Sequence, residues 1–414
     1  MLGSDAPPRK RSFPLRETLG YGLVAGAVWL GWETIKAPVV ERGAPAISVR
    51  LAPTSPEVLR RAAEAELLAE RFENAESLAA ESLGRAPFNA RALRVRGLSR
   101  AALGDNESAD QILTLAGNWS LRDDPTHAWL IERRLRRGDY QSAFAHADTL
   151  ARRRADLYPS LFRLFTTAAS QDPRALPVIT SLVARRPPWR SAYLDHLHKT
   201  QNGAPVIGGL AIALEHTEGP FTTEELGQLY TEWLKAGRLQ GIKEIRARLG
   251  RPGSEQLLQN GDFSVSVSEQ AYPFGWSLGS GAGIVATVVE DDLNSNNEAY
   301  RLEYDGYQSG VMLAQLLLLL PGKYLLEGEL RVEAQIEDIR LQWTVACAET
   351  EDETVIFRPQ PAGSDTAWRS FSAAFEIPQE NCSAQWLRLM ARPDDHRQGI
   401  AVWFDNLRLR RISG

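Results

Sequence analysis

ERFENAESLAAESLGRAP (Glu70–Pro87), GDNESADQILTLAG (Gly104–Gly117) and GDYQSAFAHADTLA (Gly138–Ala151) are three versions of one segment. Their matched alanines, Ala75, Ala109 and Ala143, stand 34 residues apart, and Phe72, Asn106 and Tyr140 keep the same step. A fixed period of this size marks stacked supersecondary units. The apolar residues within each copy fall at helical spacing, so the units are helical hairpins. The small alanine lets two helices touch, and the aromatic fills the gap beside it. One hairpin cannot bury its apolar face alone, so the copies must stack.

The period and residues resemble the tetratricopeptide repeat. Gly138-Asp139-Tyr140 with Ala143 matches that family's turn and its small residue three positions after the aromatic. Gly97, twelve before Ala109, matches its first-helix glycine, and Pro87, twelve after Ala75, its closing proline. Asn106 departs from the pattern, and the second and third copies lack the proline. Segments such as YPSLFRLFTTAAS and EELGQLYTEWLKAG stay helical in pattern, which extends the expected α-solenoid over residues 55–250. Arginines crowd this region: Arg133, Arg134, Arg136 and Arg137, then Arg152–Arg154, then Arg185, Arg186 and Arg190. They read either as a solvated helical face or as a cationic groove for an acidic partner or an anionic polysaccharide.

On the N-terminal side, residues 1–17 carry Arg9, Lys10, Arg11 and Arg16 among prolines, and read as a disordered basic tail. TLGYGLVAGAVWLGWETI follows, with a charge-free core over Thr18–Trp32. It is short for a spanning helix of about 17–25 residues, but Glu33 and Lys36 can snorkel and Trp29 and Trp32 suit an aromatic belt. The expectation is a signal anchor over 18–36, with a cleaved signal peptide or a buried soluble helix as alternatives. The basic flank then places the tail in the cytoplasm and the bulk outside, in a bacterial periplasm. Residues 37–54, with three prolines, read as a stalk.

On the C-terminal side, helical periodicity ends at Arg251-Pro252-Gly253 and alternation replaces it. Stretches such as GIVATVVE, KYLLEGELRVEA, IRLQWTVACAE and IAVWFDNLRLRR predict eight to ten strands in an antiparallel two-sheet jelly roll. LLQNGDFS (Leu257–Ser264), then Gly275-Trp276, Gln315, Pro321-Gly322 with Tyr324, and finally Asp405-Asn406 occur in the order seen in carbohydrate-binding-module-like jelly rolls, of galactose-binding-like type. The resemblance covers residues 255–412. It implies a β-sandwich, mostly architectural roles for these positions, and a structural calcium near Asp405. Ser264 departs from the acidic residue common there.

Sugar binding needs exposed aromatics flanked by hydrogen-bonding groups. Alternation puts Trp343, Val345 and Cys347 on one face of a strand, and Cys382, Trp386, Arg388 and Met390 on one face of another, with Leu387 and Leu389 opposite. Two lone cysteines outside the membrane tend to pair. A Cys347–Cys382 bond then gathers Trp343, Trp386 and Arg388 on one candidate glycan surface, with Tyr307 as a further candidate; the alternative is that both tryptophans pack inside.

The net charge of -5 carries no nucleic-acid signature. No GxSxG, P-loop or HExxH motif is present, and the acidic runs Glu290–Asp292 and Glu349–Glu353 read as solvated loops. The architecture resembles accessory proteins of bacterial exopolysaccharide or capsule assembly. It implies a non-enzymatic, inner-membrane-anchored protein with polysaccharide on the sandwich and partners from a synthesis or export complex on the solenoid. A pure protein scaffold and a glycan-processing enzyme are the rival readings.

Overall fold

In the computed structural model, which describes residues 44–251, 256–267, 270–307, 309–333, 339–350, 353–360, 366–392 and 399–412, helices fill the first part and two antiparallel sheets the last. The basic tail and the signal anchor lie outside the described residues. No helix among those described is long and apolar enough to cross a membrane. Pro45–Leu51 (α1), within the stretch read as stalk, is helical. The chain divides into two compact units, residues 1–157 and 158–414.

The first unit holds three hairpins. Their first helices are α2 (Pro56–Leu68), α4 (Ala90–Ala102) and α6 (Asp124–Arg136). Their second helices are α3 (Phe72–Arg85), α5 (Asn106–Trp119) and α7 (Tyr140–Ala151), so both series advance by 34 residues. Ala75, Ala109 and Ala143 are fully buried. A Cβ on Gly97 would lie 2.5 Å from Leu113, which is why the close α4–α5 crossing takes glycine. Gly104 and Gly138 end α4 and α6 in left-handed backbone, and Asp105 and Asp139 then cap α5 and α7 by accepting from Ser108 and Ser142.

Among the described residues most of the clustered arginines are paired within the chain. Arg134 and Arg137 both bond Asp110, Arg153 and Arg154 both bond Asp124, and Arg94 reaches Glu64 and Asp123. These acids lie 24–30 residues away, so the ion pairs tie one hairpin to the next rather than await an acidic partner.

In the second unit, α8 (Tyr158–Gln171), α9 (Ala175–Ala184), α10 (Arg190–Lys199), α11 (Gly203–Leu214), α12 (Thr223–Lys235) and α13 (Leu239–Leu249) precede the sheets. Arg190 is buried and held by Glu225 at 2.7 Å, so it too is spent on structure.

Eleven strands are described: β1 (Ser277–Leu278), β2 (Ser280–Gly281), β3 (Ile284–Asp291), β4 (Asn294–Tyr304), β5 (Gly310–Leu317), β6 (Gly322–Val332), β7 (Leu341–Cys347), β8 (Glu353–Phe357), β9 (Arg369–Ile377), β10 (Gln385–Ala391) and β11 (Ile400–Arg411). They form a five-stranded sheet, β1-β5-β10-β7-β8, and a six-stranded sheet, β2-β3-β4-β11-β6-β9. The core between them is one apolar cluster including Leu313, Leu326, Trp343, Leu387, Leu389 and Phe404. The strap before the first strand closes one end. Gln315 clamps Gln259 through two hydrogen bonds, Trp276 donates to the Asn260 carbonyl, and Gly261 pairs with Leu407 so closely that a Cβ would meet the Leu407 oxygen at 1.8 Å. The NGDF motif thus serves architecture.

Candidate functional site

Strand β10 alternates with full regularity: Leu387, Leu389 and Ala391 enter the core, while Trp386, Arg388 and Met390 face outward, half-exposed. Register places Leu316 and Ala346 on either side of Trp386, and Ala314 and Thr344 on either side of Arg388. These four residues also face outward and stand outside the core cluster, yet all are buried. They form a flat floor of small and apolar groups roofed by larger side chains.

The roof is aromatic and polar. The Tyr272 ring, 44% exposed, lies 6.2 Å from that of Trp386. The loop that carries Tyr272 is pinned beside β5 by the Leu316 amide, which donates to Pro273. The Arg388 guanidinium stands 5.4 Å from the Trp386 ring. Glu353 on β8 lies 3.8 Å from that guanidinium and accepts from Thr344 at 2.8 Å. Gln342 and Arg358 extend the polar side, joined at 3.4 Å. An exposed and a half-exposed ring with a charged pair and an amide beside them can stack on a flat apolar ring and hydrogen-bond its rim.

Trp343 does not belong to this surface. It is fully buried, with its ring 5.6 Å from Phe404 and 6.4 Å from Trp276. It pairs with Leu389, so it shares the inward face. The expected common face with Trp386 fails because it was counted through Cys382, which precedes β10: residues 382–384 do not keep strand alternation. Cys347 and Cys382 are joined in a disulfide, and Cys382 is buried.

Tyr307 is 55% exposed, but it sits in the β4–β5 turn. Trp386 pairs with Leu316 near the far end of β5, six residues from Gly310, or about 20 Å along a strand. The structure therefore does not bring Tyr307 to Trp386. Two other tryptophans are engaged elsewhere: the half-buried Trp368 and the buried Trp403 flank the buried Arg331 at 5.5 and 4.5 Å and donate to Asp291 and Glu333.

Asp405 does not fit a calcium ligand here. Its two oxygens already accept the Asn406 amide, the Asn406 side chain and the Asn297 side chain, a donor shell suited to an anion rather than to a cation. Burial raises its pKa despite those bonds. Among the described residues no group of three His, Cys, Asp or Glu side chains is placed to hold a metal ion.

Sequence reasoning missed Tyr272, Thr344 and Glu353. Tyr272 stands in a loop, where no periodicity assigns a face. Glu353, exposed as expected of the acidic run, opens strand β8 rather than lying in a loop.

No protein-family model matches the chain, and no curated protein matches it. Solved structures similar to its β part include a sugar-binding protein described as putative from Bacteroides thetaiotaomicron (10% identity, TM-score 0.31, covering 38% of this chain and all of that one). A xylan-binding domain of Paenibacillus barcinonensis Xyn10C matches at 14% identity and TM-score 0.28, covering 37% of this chain and 93% of that one. A family 16 carbohydrate-binding module matches at 17% identity and TM-score 0.28, covering 38% and 100%.

Proposed function

We propose that this is a non-enzymatic glycan-binding protein that holds polysaccharide on the outer face of the five-stranded sheet. The observation that carries the reading is the exposed Tyr272 ring and the half-exposed Trp386 ring side by side, next to the Arg388–Glu353 pair. Trp368 and Trp403 are tied to buried charges, whereas the half-exposed Trp386 indole has no such partner among the described residues. The two rings are tilted by 36° to one another on an open sheet face, which suits successive sugars of a chain rather than one enclosed residue. In the same reading the 34-residue hairpins are tetratricopeptide-like and dock protein partners of an exopolysaccharide or capsule synthesis or export complex. Residues 18–36 anchor the chain in a bacterial inner membrane, with the sandwich in the periplasm. The Cys347–Cys382 disulfide supports an oxidising compartment.

The test is affinity electrophoresis and calorimetry of the full chain against xylan, galactan, cellulose and alginate. Trp386→Ala and Tyr272→Ala should each weaken binding of the preferred polymer by roughly tenfold or more, as central aromatic anchors do. Trp343→Phe should leave binding unchanged. Full binding by the Trp386→Ala, Tyr272→Ala double variant rules the site out, and no binding of any polymer by the native chain rules out the function.

A further inference from the structure

A second site lies away from that face. A cavity of about 1090 Å³ opens between helices α12 and α13 on one side and the 256–265 strap with the end of β11 on the other. It is at the upper end of the size range of small-molecule sites.

The charges around it are not equivalent. Arg251 is held by Glu215 through two hydrogen bonds of 2.8 and 2.7 Å, and Arg410 by Glu327 at 2.8 Å. Arg246 makes no hydrogen bond and no ion pair among the described residues. Its guanidinium carbon instead lies 3.6 Å from the centroid of the Phe274 ring, and Phe274 meets Tyr230 edge-on at 5.3 Å. Both rings are buried. Burial lowers the Arg246 pKa, but a guanidinium stays charged at any ordinary pH. The guanidinium is therefore partly screened from water by the rings, with no counter-ion among the described residues, so it is available to pair with an incoming anion.

We propose that this cavity binds a carboxylate-bearing ligand, its carboxylate taken by the Arg246 fork and its apolar body lying along Leu226, Leu249 and Leu257. With one face of the guanidinium on Phe274, its N–H groups are left pointing outward in its own plane, the geometry that matches a carboxylate bidentately. The exposed Arg408 also lines the wall without an ion pair among the described residues, and Asp262 in the same wall offsets one of these two cations; the remaining single positive charge matches a monoanion better than a dianion such as phosphate. The site shares no residue with the Tyr272–Trp386 platform, so it stands whether or not polysaccharide binds there.

Calorimetry of the full chain at pH 7 with glucuronate, benzoate, glucose and inorganic phosphate tests this. Glucuronate or benzoate should bind, the first marking a sugar acid and the second an aromatic acid, while glucose and phosphate should not. Arg246→Gln should weaken the bound carboxylate roughly ten- to hundredfold, the range expected for charged hydrogen bonds. Arg246→Lys keeps the charge and loses the fork, so it should fall between the two and guards against a Gln variant that fails to fold. Binding of neither carboxylate to the native chain, or equal binding by Arg246→Gln and Arg246→Lys, overturns the proposal.

Discussion

Acid should loosen the third hairpin before any other part of the first unit, and the cause is a histidine pair. Nδ1 of His127 on α6 lies 3.0 Å from Nδ1 of His146 on α7, and His127 Nε2 faces the Ser120 carbonyl at 3.3 Å. The carbonyl can only accept, so Nε2 carries the proton of His127, and His146 must donate from Nδ1. Both rings are then neutral. Burial, then the neighbouring His127 and Arg134, hold His146 down to about 4 against the pull of Asp139. Burial also lowers His127, against the Ser120 carbonyl and the nearby Asp123 and Asp124. A histidine depressed in the folded state contributes stability that is complete above its unfolded pKa of ~6.5 and is lost as pH falls toward 4. The His146 shift sets a ceiling of about 3 kcal/mol, and the ring's partial exposure reduces it to roughly 1–2 kcal/mol. Asp110 and Asp124, lowered against burial by their arginine partners, lose their contribution only as pH falls below the unfolded aspartate value of ~3.9, under the pH 4.5 end of this range. Hydrogen exchange on peptides from residues 124–151 of the full chain, corrected for intrinsic rates, should show their opening free energy falling by that amount between pH 7 and 4.5. His146→Phe should remove most of the fall and leave only the share due to His127. An equal fall in the variant, or a His146 titration midpoint at or above 6.5 by NMR, refutes the reasoning.

Two further substitutions test the packing. Trp343→Ala should destabilise the sandwich by about 3–5 kcal/mol, as large-to-small changes in a filled core do; Trp343→Phe should cost clearly less, because it also removes a buried indole N–H that has no acceptor. Denaturant unfolding followed by circular dichroism ranks the two, and an equal cost contradicts the burial assigned to this ring. Glu70 stands 34 residues before Gly104 in the same left-handed turn, at φ 56° with a full side chain. Glu70→Gly should therefore raise the opening free energy of α2–α3 by roughly 0.5–1 kcal/mol in the same exchange experiment, and no gain would show the turn to be unstrained.

How much of this was legible depended on whether the deciding signal was local. The repeat was, because each hairpin meets its neighbour through residues one period away, and Ala75, Ala109 and Ala143 keep that step without error. The ion pairs obey the same logic: Arg94 and Arg134 find acids 24–30 residues distant, so a dense arginine count in such an array signals pairing between units rather than a free cationic surface. On β10, alternation put Leu387 and Leu389 inside and Trp386 and Arg388 outside, and the structure agrees. The inference about Trp343 broke at the step that linked two strands. A strand's own alternation is local, but which face looks inward is set by register, and one irregular residue between a reference point and a strand reverses every assignment beyond it. Cys382 was such a reference point, three residues before β10 begins. Tyr272 was out of reach for the opposite reason. A loop residue has no period at all, and its place beside Trp386 comes from the Leu316–Pro273 hydrogen bond, which joins segments more than forty residues apart. The glycan platform is thus half strand and half loop: β10 could be read from the sequence, whereas the loop half depends on the assembled sheet.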